Sequence, residues 1–133
     1  MLSNDQIQAG LVAYLKSKTL IIAEVTASEI RENEWQGTSF KYPNIRVRMI
    51  SNTPPTHDSC NLTKISVSFL VFTEDASSKN ADKIAGIIND TLHNKSFSST
   101  SIEFSLWTTN LIPAIRSDER TWRSEVLMNG IAG

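Results

Sequence analysis

Hydrophobic and polar positions along this chain change period several times, and the changes mark out its elements. Between Ser3 and Ser17, the residues Ile7, Leu11, Tyr14 and Leu15 fall at i, i+4, i+7 and i+8, which is one apolar stripe at helical period. Ser3 or Asn4 can cap this helix, and Asp5 stands in its first turn, where the helix dipole favours an anion. Gly10 weakens it slightly. The short run Leu20-Ile21-Ile22-Ala23 either extends the helix or forms a brief strand. Periodicity then fades from Glu24 to Lys41, a stretch that reads as an ordered connection whose aromatics pack back on the core.

Strict alternation begins at Ile45-Arg46-Val47-Arg48-Met49, a strand with one wet face. Tyr42 before Pro43 is pushed toward extended geometry, which suits the start of that strand. Ser51 to Leu62 holds Pro54-Pro55, His57, Asp58 and Asn61 and reads as a loop. At about a dozen residues it is long for a connection between strands. Thr63 to Thr73 is the strongest strand: Ile65, Val67, Phe69 and Val71 alternate with Ser66, Ser68, Leu70 and Phe72, and the last two predict a second covered face near that end. From Ser77 to Asn94 the stripe Ala81, Ile84, Ala85, Ile88 and Leu92 predicts a second helix, with Ser77 or Ser78 as cap and Asn94 as stop. Ile102, Phe104 and Leu106 alternate in a third strand, which Pro113 and the Arg116-Ser117-Asp118-Glu119-Arg120 cluster end. Trp122, Val126 and Met128 alternate in a fourth.

The order helix, two strands, helix, two strands predicts an α+β fold. Its small antiparallel sheet of about four strands, two hairpins side by side, is packed by two helices on one face. At 133 residues, with no linker, repeat or low-complexity run, the chain reads as a single domain over residues 1–133.

Composition narrows the function classes. Thirteen Lys+Arg against fourteen Asp+Glu leave a net charge of −1, so bulk electrostatics supplies no polybasic surface for nucleic acid or membrane. No stretch approaches the ~18 apolar residues of a membrane span. The opening Met-Leu-Ser-Asn-Asp-Gln lacks the pattern of a secretory signal, which predicts a chain kept in a reducing compartment. One cysteine, Cys60, excludes an intrachain disulfide and a cysteine-cluster zinc site.

Candidate chemistry is sparse. His57 and His93 lack a second ligand at metal spacing on the same element, and His93, at a helix end, suits the dipole when protonated. Cys60 beside His57 and Asp58 has the residue types of a nucleophilic site but no rigid element to orient a base. The carboxylates at Glu29, Glu32 and Glu34, and at Glu74-Asp75, read as surface or interface charges. The five glycines, at 10, 37, 86, 130 and 133, form no phosphate loop. No cofactor, metal or catalytic residue is predicted. Arg46 and Arg48 share one strand face, and Arg116, Arg120 and Arg123 cluster near the last turn, but no aromatics interleave them as on a base-stacking surface. Trp107 falls on the polar side of its strand, off the main core, where tryptophan commonly marks a protein–protein contact. With Trp35, these positions give the candidate subunit or partner interface: Trp35, Arg46, Arg48, Trp107, Arg116 and Arg120.

The stretch from Ile30 to Arg48, with Tyr42-Pro43-Asn44-Ile45-Arg46-Val47 as its sharpest part, resembles the tail-terminator or tail-completion proteins of tailed bacteriophages. So does the layout around it, from Asn4 to Ile131: a leading helix, a strong strand, a Ser-started helix with an Ala/Ile stripe, and a closing strand from Arg120. The resemblance implies a non-enzymatic virion protein of the tail and neck, assembled in the host cytoplasm. It implies a homo-oligomeric ring, a hexamer, that caps the tail tube, stops its polymerisation and joins the tail to the neck and head connector. Its partners would be other copies of itself, the tube protein and the neck proteins, with DNA passing through the lumen without specific binding and no membrane involved. Near-neutral charge suits such a lumen, since each phosphate contact adds friction as well as affinity. Two other readings stand beside it: a nucleic-acid-binding α+β module using the surface arginines, and another phage neck or baseplate adaptor.

Overall fold

The computed structural model describes residues 2–33, 41–54 and 62–133. Along them run α1 (Asn4–Lys16), α2 (Thr19–Ile22), a 3-10 turn (Ala27–Glu29), β1 (Ile30–Glu32), β2 (Asn44–Thr53), β3 (Thr63–Thr73), α3 (Lys79–Leu92), β4 (Lys95–Ser99), β5 (Ile102–Arg116) and β6 (Trp122–Ala132). All six strands join one sheet in the order β1-β2-β3-β6-β5-β4.

This corrects the expected sheet of about four strands packed by two helices: over the described residues the fold is mostly sheet, a six-stranded mixed half-barrel with three helices. The two expected hairpins are present, β2 with β3 and β5 with β6, but β3 and β6 also pair over their whole length, from Thr63↔Ala132 to Thr73↔Trp122. The two extra strands lie at the edges, and each is too short to show a period. β1 has three residues and pairs parallel to β2 through Ile30↔Ile45, which makes the sheet mixed. β4, Lys-Ser-Phe-Ser-Ser, carries one hydrophobe, Phe97. Nor does Pro113 end β5. The ladder with β6 slips between Ile112 and Ile115 and resumes at Ile115↔Arg123. An irregularity of this kind accommodates a residue that cannot donate a ladder hydrogen bond.

The core lies on the inner face. Ile7, Leu11 and Leu15 of α1 and Ile84, Ile88 and Leu92 of α3 meet Val47, Phe69, Phe104, Leu106 and Val126 in one buried cluster. Fully burying each such side chain stabilises the fold by roughly 1.5–3 kcal/mol. α3 packs on β3, β5 and β6, whereas α1 touches β1 and β2 at one side of the sheet and β4 at the other. One helix can reach both margins only if the sheet curls around it, and this contact defines the half-barrel. Gly10 permits the approach: a Cβ there would stand 3.0 Å from Phe104 Cζ and 3.1 Å from Thr100 Oγ1. Ser99 Oγ donates to the Gly10 carbonyl at 2.7 Å, and the Tyr14 ring stacks on Phe97 with centroids 3.8 Å apart.

Asn94 stops α3 with φ 56°, and its N–H donates to the Leu106 carbonyl at 2.9 Å, which starts β4. The β4–β5 hairpin then turns through Thr100 (φ 51°) and Ser101 (φ 65°). Two consecutive positive φ values favour Asn-Gly, and a β-branched threonine is strained there. The double substitution Thr100→Asn, Ser101→Gly is expected to stabilise the protein by about 1 kcal/mol, read as a higher midpoint in urea. An unchanged or lower midpoint would show that the turn is not strained.

Candidate interaction surfaces

Among the described residues no helix packs on the outer face of the sheet, and its cross-strand rows order the candidate residues. Arg46 lies in a row with Arg31 of β1 and Leu70 of β3. It is buried, 5% exposed, although its strand alternates as if this face were wet. Glu29, itself 4% exposed, pairs with Arg31 at 3.4 Å. Burial first, and then the neighbouring Arg31 cation, hold the Arg46 guanidinium below its usual pKa, with Glu29 and Glu32 acting in the opposite direction. The patch is a buried charge set at the β1 margin, so Arg46 is not on the surface of the isolated subunit. Arg48, two positions on, is exposed, in a row with Ser68 and Leu127.

Trp107 stands on the outer face as its alternation predicts, 43% exposed, opposite Asn129. It walls a shallow depression of about 390 Å³ together with Ser51, Lys64, Ser66, Asn129 and Ile131. Ser66 Oγ donates to Asn129 Oδ1 at 2.7 Å across its floor.

Arg116 and Arg120 sit at the turn of the β5–β6 hairpin, where Arg120 lines a depression with Tyr42, Glu74, Asp118 and Glu119. The Arg116 guanidinium lies 4.9 Å from the centroid of the Trp122 ring and donates to the Glu119 carbonyl. Arg120 approaches Glu74 at 3.9 Å, on the surface. Asp118 Oδ1 accepts the Arg120 and Thr121 N–H groups at 2.9 and 2.8 Å and so closes the turn. These bonds hold its carboxyl below the ordinary carboxylate range. A depressed value favours the folded turn at neutral pH, and that support is lost as pH falls through the folded value. Trp122 Nε1 donates to the Asp75 carbonyl at 3.1 Å, which ties the hairpin to the loop before α3.

His93 caps the C-terminal end of α3. Its Nδ1 accepts the Thr108 N–H at 2.8 Å, while Asp82 Oδ1 accepts the Ala114 N–H at 2.8 Å. A side chain of α3 and that of its C-cap residue thereby occupy donors on the margin of β5 beyond β4. Trp35, Pro55, His57, Asp58 and Cys60 lie outside the described residues. Among the described residues, no group of three or more His, Cys, Asp or Glu is arranged to hold a metal ion, and no helix is long and apolar enough to cross a membrane.

Two surfaces were not anticipated. Leu20 on α2 is 71% exposed and lines a groove of about 360 Å³ with Tyr14, Lys18, Ile87, Asp90 and Lys95. Ile115, next to the hairpin tip, is 49% exposed. The only sequence signal for the first was an apolar run without a stripe, at Leu20–Ala23.

No protein-family profile matches this chain, and no curated protein matches it in sequence. Solved structures do match its fold. A chain of the virion of a native gene transfer agent particle superposes with a TM-score of 0.78 at 15% identity, covering 96% of this chain and 95% of that one. A second, whose description names no function, superposes at 0.62 with 11% identity, over 98% of this chain and 96% of that one. At these identities the likeness establishes a shared fold.

Proposed function

We propose that this chain is a non-enzymatic structural subunit of a phage-like virion and, within that class, the tail terminator: a ring, a hexamer, that caps the tail tube, halts its growth and joins it to the neck. One observation carries the reading, the superposition on a chain of a gene transfer agent virion over nearly the whole of both chains. The surface agrees with an assembly role. Large hydrophobics are exposed and available for contact at Leu20, Ile50, Trp107, Leu111 and Ile115. Two ring contacts of about 800 Å² each would cover roughly a fifth of the 7307 Å² that the subunit exposes. With a net charge of −1, the ring lets DNA pass without holding it.

The test is direct. Purified protein added to growing tail tubes is expected to cap one end in negative-stain images and to arrest elongation at stoichiometric amounts. Tubes that elongate unchanged, with no density at either end, would refute the terminator reading, and binding at a neck or baseplate alone would assign the chain to an adaptor. Trp107→Ser is expected to keep the native circular dichroism spectrum, since Trp107 lies outside the buried core cluster, and to weaken capping. Full capping by this variant would place the contact elsewhere. The nucleic-acid reading has less support, because Arg46 is buried and Arg116 stacks on Trp122.

A further inference from the structure

β5 is far longer than the edge strand at its side. β4 pairs only with Ile102–Leu106, so from Trp107 to Arg116 that margin of β5 has no neighbouring strand among the described residues. Most of this stretch is exposed, Leu111 and Ile115 included. A long open margin offers N–H and C=O groups to any strand that arrives. Here α3 lies along it. Asp82, in the first turn of α3, accepts the Ala114 N–H through Oδ1 at 2.8 Å. Asn89, seven residues on and so on the same helix face, accepts the Thr108 hydroxyl through Oδ1. His93, the C-cap, accepts the Thr108 N–H through Nδ1 at 2.8 Å. The helix rises about 16 Å from Asp82 to His93, and the strand spans about 20 Å from Thr108 to Ala114. Helix and strand therefore run side by side in opposite directions. Between the two occupied donors, Pro113 has no N–H to offer.

We infer that α3 guards the sheet: the side chains of Asp82 and His93 hold the β5 margin closed against strand addition by a second copy of this chain. Backbone geometry selects that occupant. Two identical margins pair antiparallel about a two-fold axis, each strand supplying donors and acceptors to the other, so every second copy carries a matching edge. Two donors that such a pairing would use, on Thr108 and Ala114, are already taken. An arriving strand has to displace both side-chain acceptors, and Pro113 gives it nothing in return. Natural sheets protect open edges by covering them and by placing proline there, and β5 combines the two. Without the guard the contact is isologous and closes at two copies. The inference does not depend on the ring reading above, because it concerns a pairing that the folded subunit withholds.

Removing the acceptors tests it. In the intact chain carrying Asp82→Ala with His93→Ala, the Thr108 and Ala114 amides are expected to exchange hydrogen at least about tenfold faster than in wild type in dilute solution. At rising concentration, sedimentation should show self-association at least about tenfold tighter than wild type, with an intermolecular β-sheet band in the infrared spectrum. Asp82 is exposed, so Asp82→Ala alone keeps the core intact and should show the same changes in smaller measure, with faster exchange at Ala114. Asp82→Asn retains an acceptor oxygen at that place and should behave as wild type. Ser124→Ala controls for loosening of α3: it removes the bond from Ser124 Oγ to the Ala81 carbonyl, 2.9 Å long, but leaves the margin covered, and should associate as wild type does. Three results would each overturn the inference. They are amides that stay protected without Asp82 and His93, uncapped variants that exchange faster yet associate no more tightly, and a Ser124→Ala chain that associates as strongly as the double variant. Tube capping by wild type is a separate measurement, and its failure would refute the terminator reading while leaving the guard intact.

Discussion

Gly130→Val is expected to yield a chain that does not reach the native state, and Gly130→Ala one that loses about 3 kcal/mol or more. Gly130 sits on β6 between Ile65 of β3 and Leu106 of β5, at the centre of the sheet. A Cβ there would collide with the Ser105 carbonyl oxygen and the Leu106 side chain. The first of these is backbone, fixed by the β4–β5 and β5–β6 ladders, so no rotamer change relieves it. Domains of this size are stable by only about 5–15 kcal/mol, and the loss from alanine takes a large share of that. Urea denaturation followed by tryptophan fluorescence gives the midpoint directly. A Gly130→Ala midpoint matching wild type would mean that β5 does not lie against β6 in this register.

Glu29→Ala has the second largest expected effect, a loss of about 3 kcal/mol. Glu29 and Arg46 are both buried, and Arg31 stands beside them. Removing the carboxylate leaves two guanidinium groups close together, with one of them in a medium that solvates charge poorly. Breaking a buried charge set by deleting one member costs far more than replacing the whole set with apolar groups of similar size. Arg46→Met introduced into the Glu29→Ala background is therefore expected to recover part of the loss, and a double-mutant cycle in urea measures the coupling. Additive losses, with no recovery in the double variant, would show that Glu29 and Arg46 do not support one another.

How much of this was readable beforehand depends on what each residue pattern encodes. The α3 stripe was legible to the residue, since Ala81, Ile84, Ala85, Ile88 and Leu92 are all buried, because a long amphipathic helix repeats its signal several times. β4 was not, because one phenylalanine among serines has no period. Nor was the β3–β6 pairing, because alternation specifies which side chains share a face and says nothing about which strand lies alongside. Arg46 shows the same limit at the level of one side chain: alternation correctly assigned it to the face opposite Val47, but whether that face is covered depends on distant residues. Trp107 needed only its own parity, and its exposure follows from that. The groove beside Leu20 could not be read in advance, because Leu20 and Lys95 come together only in three dimensions.

The grip of α1 on both margins of the sheet has a consequence for how the chain is made. α1 is made before β4, and the Ser99 hydroxyl that bonds the Gly10 carbonyl lies 89 residues further on. Until β4 has formed, the apolar stripe of α1 faces water or whatever else will cover it. Contacts so distant along the chain favour slow folding, on the order of milliseconds to seconds for sheet-rich domains. During that interval the apolar stripe of α1 is open to capture by a chaperone or by a neighbouring nascent copy.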